Sequence, residues 1–125
     1  MDKEMAVQSL TDTMAKFTSY IGKRLPKDVK AKLADLRTME TNPLAKSIYD
    51  SMHGNQEAAD RLNRPSCQDT GVIQYFIEAG SNFPLLGELE DVLREATVGA
   101  TQMGPLRHNA VETFDEKNTG TNTGT

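Results

Sequence analysis

Val72-Ile73-Gln74-Tyr75-Phe76-Ile77, bounded by Gly71 and Gly80, decides the fold class of this chain. The run is short, β-branched and aromatic, and it reads as a strand buried on both faces. Residues 1–64 read as helices, and so does the segment that follows the run. The six residues therefore separate an all-α chain from an α+β one. A lone strand is not stable, and the only other candidate is a segment at residues 110–114. The expected sheet is accordingly minimal, or completed by residues outside this sequence.

The helical part spans residues 1–64. Ala6, Leu10, Met14, Phe17 and Ile21 repeat at intervals of three and four, which makes one apolar stripe. Pro26 suits the first turn of a second helix, whose stripe is Val29, Leu33, Leu36 and Met39. Asn42-Pro43 is a helix-start signal, a capping side chain followed by a proline at the first helical position. Leu44, Ile48 and Met52 continue from it with Ala45 and Tyr49 alongside, until Gly54-Asn55 breaks the pattern ahead of a short helix at 56–62. His53 then falls near a helix C-terminus, where a cation is favoured. Beyond the strand run, Leu85, Leu86, Leu89, Val92, Leu93 and Ala96 predict a helix from about Pro84 to Val98 or beyond. The expected architecture is mainly helical α+β: an N-terminal bundle of three or four helices, a short strand region and a helix. It forms one domain of three parts, a helical region 1–64, a strand-helix part 65–117 and a flexible tail 118–125 built on Asn118-Thr119-Gly120 and Asn122-Thr123-Gly124.

Composition narrows the function classes. Of the 125 residues, Leu, Ile, Val and Phe make up 20%, and there is no Trp. That composition predicts a thin core in want of a partner surface. No apolar run is long enough to span a bilayer, and the N-terminus lacks a signal-peptide pattern, so the expected location is the cytoplasm, away from any membrane. The net charge of −4 divides into +2 over residues 1–64 and −6 over 65–125. Neither half carries the basic stripe of a nucleic-acid binder.

Chemistry concentrates in Pro65-Ser66-Cys67-Gln68-Asp69-Thr70-Gly71. The single cysteine stands in a loop beside an amide, a carboxylate and a hydroxyl. Its thiolate could act as a nucleophile or a soft metal ligand; an ordinary half-buried cysteine fits the same residues. Nucleophilic catalysis needs a base in reach, and nothing in the sequence places His53 or His108 beside Cys67. An iron–sulfur cluster needs three or four thiolates, so further cysteines would have to come from another segment or chain. The second concentration is Gly104-Pro105-Leu106-Arg107-His108-Asn109-Ala110, where Arg107 offers the planar fork that matches a carboxylate. A surface arginine fits equally.

Taken together, these blocks resemble one family. Arg64-Pro65-Ser66-Cys67-Gln68-Asp69-Thr70-Gly71, Gly80-Ser81-Asn82-Phe83-Pro84-Leu85-Leu86-Gly87-Glu88-Leu89, Pro105-Leu106-Arg107-His108-Asn109-Ala110-Val111-Glu112 and Phe114-Asp115-Glu116-Lys117-Asn118-Thr119-Gly120 are similar, in order, to the N-terminal end of the α subunit or α region of the iron–sulfur hydro-lyases of the class I fumarase and tartrate dehydratase group. The Arg107–Glu112 block is closer to the tartrate dehydratase branch. The resemblance implies a reversible dehydration of a hydroxy-dicarboxylate, L-tartrate to oxaloacetate, with the fumarase reaction on malate as the alternative. It implies a [4Fe–4S] cluster held by three cysteines, of which Cys67 matches the first. Gln68 and Asp69 match substrate contacts, with Asp69 as the catalytic group that handles the proton of the leaving hydroxyl. Arg107 matches an arginine that holds a substrate carboxylate. The partners implied are a β subunit, in a heterotetramer, and the remainder of the α subunit. Members of the group run well beyond residue 125, so the expectation is an N-terminal piece that holds no cluster and has no activity alone. A reading from another class is a non-catalytic interaction domain.

Overall fold

The computed structural model describes residues 2–67, 71–104 and 106–123. Among the described residues there are four α-helices: α1 Lys3–Ile21, α2 Lys27–Met39, α3 Pro43–Leu62 and α4 Leu89–Met103, the last preceded by a 3-10 turn at Leu86–Glu88. They fall into two compact units. One comprises Met1–Tyr20 with Asp69–Thr125, the other Ile21–Gln68. No helix among the described residues is long and apolar enough to cross a membrane.

The expected α+β class is not what forms. Among the described residues there is no paired strand, and the only ladder contact is an isolated antiparallel bridge between Val111 and Asn118. Val72 to Ile77 forms no regular element, and Val72 is 76% exposed, Phe76 93% and Ile77 50%. The correction has a simple cause: β propensity describes how a residue fits a pleated, half-buried surface, and no neighbouring backbone supplies that surface. The described chain is all-α with irregular connections.

The Ile21–Gln68 unit is a helical hairpin. At its turn the Asn42 side chain accepts from the Leu44 N–H at 2.9 Å, with Pro43 at the first helical position. The Glu40 carboxylate accepts from the N–H groups of Thr41 at 2.8 Å and Asn42 at 2.9 Å, which holds its pKa below the usual range. Arg37 bonds Asp50 in a two-pronged pair across the two helices, with one prong at 3.0 Å. That pair lowers the Asp50 pKa, the hydrogen bond being the larger cause. Gly54 does not break α3, which runs unbroken to Leu62 and ends on Asn63 in the left-handed conformation (φ 51°). A mid-helix glycine costs only about 1 kcal/mol against alanine, too little to end a helix of this length. His53 therefore lies inside α3, 3.4 Å from Glu57 one turn on. The apolar stripe stays largely uncovered, with Leu44 72% and Met39 74% exposed.

In the other unit, small residues bring α1 and α4 together. A Cβ added to Gly99 would stand 3.3 Å from the Cβ of Ala15. The buried residues are Thr11, Ala15, Thr18 and Ser19 on α1, and Val92, Ala96, Thr97, Ala100 and Thr101 on α4. The predicted α1 stripe flanks this line rather than forming it, and Phe17 is 54% exposed. Close approach of the backbones leaves no room for large side chains between the helices. Full burial of Val92 contributes about 1.5–3 kcal/mol. On α4 two threonine hydroxyls bond locally, Thr97 donating to the Leu93 carbonyl at 2.8 Å and Thr101 to the Thr97 carbonyl at 2.8 Å.

Candidate functional site

Cys67 follows the C-terminal cap of α3. The cap turns the chain back on the helix, with the Arg64 N–H donating to the Ala59 carbonyl at 3.0 Å. Ser66 is buried at 2% exposure. The Cys67 N–H then donates to the Asn55 side-chain oxygen at 2.7 Å. The backbone of Cys67 is thereby tied to the middle of α3, while its thiol is free and exposed. This combination presents sulfur to an incoming group from a fixed position. Gln68 and Asp69, the two residues expected to contact substrate, lie outside the described residues.

Arg107 belongs to the other unit and is exposed. Its neighbour Asn109 is held on three sides. The Asn109 side chain donates to the Gly71 carbonyl at 2.7 Å, and its N–H donates to the Asn122 side chain at 2.8 Å. The carbonyl just before it, that of His108, accepts from the Asn118 side chain at 2.5 Å. Beyond this point residues 110–119 close a turn. The Thr119 N–H donates to the Ala110 carbonyl at 3.0 Å and the Glu112 N–H to the Lys117 carbonyl at 2.7 Å. Inside the turn, the Glu112 carboxylate accepts from the N–H groups of Phe114 and Asp115. Asn109 therefore ties the arginine block to the Gly71 carbonyl within its own unit.

Sequence reasoning missed the asparagines. Asn55 carries no signal beyond helix-breaking composition, and Asn118 and Asn122 stand in a low-complexity repeat. The available clue was the repeat itself, since asparagine serves both backbone donors and acceptors. An open groove of about 330 Å³ in the same unit is lined by Tyr75, Leu93, Arg94 and Asn122 among others. Neither Cys67 nor Arg107 lines it.

The chain was compared with known proteins. The profile of the fumarate hydratase (Fumerase) family matches residues 11–125. The L(+)-tartrate dehydratase subunit alpha of Escherichia coli (strain K12) is 53% identical over 123 residues, which is 98% of this chain and 41% of that protein. The subunits of the same name from Shigella boydii serotype 4 (strain Sb227) and Escherichia coli O157:H7 match at the same 53% identity over the same 98% of this chain and 41% of their own lengths. The chain thus spans about two-fifths of the curated relatives it matches. A profile match over nearly the whole chain, with a 53% identical relative beside it, shows that the chain belongs to the fumarate hydratase (Fumerase) family.

Proposed function

We propose that this chain is part of the α subunit of a hydro-lyase that dehydrates L-tartrate to oxaloacetate in complex with a β subunit. The observation that carries the proposal is the 53% identity, over 98% of the chain, to proteins named L(+)-tartrate dehydratase subunit alpha. The word subunit in those names supports a partner chain. A second reading, reversible hydration of fumarate to malate, is favoured by the description of the matching family as fumarate hydratase.

The cofactor of this reading is a [4Fe–4S] cluster, and the chain fits one corner of it. Cys67 is a free, exposed thiol on an anchored backbone. It is also the single cysteine of the sequence. A four-iron cluster takes three or four thiolates. These 125 residues thus supply one ligand, and the 125-residue chain alone holds no stable cluster and has no activity. When bound, the cluster supplies a Lewis-acidic iron toward the substrate's hydroxyl and carboxylate. The cytoplasm, the expected location, keeps thiols reduced and so suits a thiolate ligand.

The chain's own contributions follow from residue chemistry. Cys67 holds iron as thiolate. Gln68 hydrogen-bonds the substrate, and Asp69 takes the catalytic role of handling the proton of the departing hydroxyl. Arg107 pairs with a substrate carboxylate through two parallel N–H donors. The test is anaerobic turnover by the complete α chain with its β partner, on L-tartrate and on malate. A kcat/KM at least about tenfold higher on L-tartrate, a difference of about 1.4 kcal/mol, supports the proposal. The reverse ranking favours the fumarase reading, and inactivity on both substrates overturns the two together.

A further inference from the structure

The repeated Asn-Thr pairs at 118–119 and 122–123 grip one peptide unit from both sides. Asn118 donates its side-chain amide to the His108 carbonyl at 2.5 Å, and Asn122 accepts from the Asn109 N–H at 2.8 Å. These two groups are the C=O and the N–H of the same peptide bond, the one that follows His108. Both asparagines are themselves set. The Asn118 side-chain oxygen accepts from the Gly120 N–H at 2.8 Å, and the Asn122 side-chain amide donates to Thr101 Oγ1 at 3.1 Å. Thr101 lies on α4 at 3% exposure. The turns that aim the side chains use left-handed backbone at Gly120 (φ 72°) and Asn122 (φ 59°), a conformation glycine and asparagine tolerate.

From this geometry we infer that Asn118 and Asn122 are positioning residues for Arg107, and that the Asn-Thr repeat is a brace carrying that arginine on α4 for a substrate carboxylate. The inference rests on the carboxylate-binding role proposed above for Arg107. The physical reason is ordering. An arginine that meets a carboxylate in two-pronged geometry must surrender side-chain freedom. A backbone already fixed one residue away removes part of that cost before the substrate arrives. Asn109 extends the brace to the Gly71 carbonyl within the same unit.

The two asparagines use opposite chemistry toward the peptide, and this makes the inference testable. Asn118 works as a donor and Asn122 as an acceptor. Aspartate at 122 keeps the acceptor for the Asn109 N–H and gives up only the donor to Thr101 Oγ1, whereas aspartate at 118 loses the donor to the peptide itself and sets a carboxylate against a carbonyl. The experiment measures KM and kcat in the complete α chain with its β partner, on whichever of L-tartrate and malate the wild type turns over. The variants are Asn118→Ala, Asn118→Asp, Asn122→Ala, Asn122→Asp and Arg107→Ala. Both alanine variants and Asn118→Asp are expected to raise KM about fivefold, the worth of one hydrogen bond, with kcat held. Asn122→Asp, which keeps the bond to the Asn109 N–H but loses the tie to Thr101, is expected to raise KM by less than Asn122→Ala. A purely structural role would lower the active fraction, and with it kcat, without moving KM. Unmoved KM in the asparagine variants, beside a large rise in Arg107→Ala, overturns the brace alone. Equal KM changes for the two aspartate variants overturn it as well. An unmoved KM in Arg107→Ala overturns the clamp reading, and the brace with it, as does a wild type that acts on neither substrate.

Discussion

The phenolic oxygen of Tyr75 lies 3.1 Å from Thr97 Oγ1. Thr97 spends its hydroxyl proton on the Leu93 carbonyl at 2.8 Å, so Tyr75 must be the donor to Thr97. With its proton committed, Tyr75 accepts from Thr18 Oγ1, 3.0 Å away on α1. One hydroxyl thus pins the segment around Tyr75 to α1 and to α4. Tyr75→Phe removes both bonds and leaves two buried threonines short of a partner. The expected cost is about 1–3 kcal/mol, read as a lower denaturant midpoint with an unchanged slope.

Gly99 is fixed by sterics. A Cβ there would sit 3.3 Å from that of Ala15, tight enough that α1 must yield. Gly99→Val is expected to destabilise by about 1–3 kcal/mol through overpacking. Adding Ala15→Gly should recover part of the loss. A double-mutant cycle on the two positions checks the coupling, and additive effects would contradict it.

The acid limb of stability should report the α2–α3 turn. Asp50 and Glu40 have pKa values below those of ordinary carboxyls, through the Arg37 side chain and through the N–H groups of Asn42 and Thr41 respectively. A carboxyl whose folded pKa is depressed binds more protons when unfolded. Its stabilisation is complete above the ordinary carboxylate range of about 4 and is lost as pH falls through the lower folded value. Arg37→Ala should therefore flatten the loss of stability below about pH 4, measured as thermal midpoint against pH. An unchanged acid limb would contradict the assignment.

The sequence made the helices readable because their signals are local. The Asn42-Pro43 cap and the stripe of α4 each depend on neighbours within a turn or two. Val72 to Ile77 misled because a strand is a relation between segments, and its residues describe only half of it. The α1 stripe was displaced for a related reason: what faces Ala15 is Gly99, and periodicity cannot announce a partner that small. Within the candidate site, Cys67 and Arg107 stood out by side-chain chemistry. Asn109, Asn118 and Asn122 act on backbone groups far along the chain, and composition alone does not reveal where such an amide will point.

The Asn55 tether gives a prediction of its own. Asn55→Ala removes the partner of the Cys67 N–H without touching the thiol. It should leave the helical content intact and increase amide hydrogen exchange at Cys67 by about fivefold, the worth of one hydrogen bond. Exchange at the wild-type rate would show that the bond does not hold this segment.

The most direct test of the central claim is L-tartrate turnover and iron content of the complete, anaerobically prepared complex, wild type against Cys67→Ser. The account predicts dehydration of L-tartrate by the wild type. In the variant it predicts loss of turnover and of bound iron, with α-helical circular dichroism unchanged. Full activity and full iron content in Cys67→Ser would contradict it.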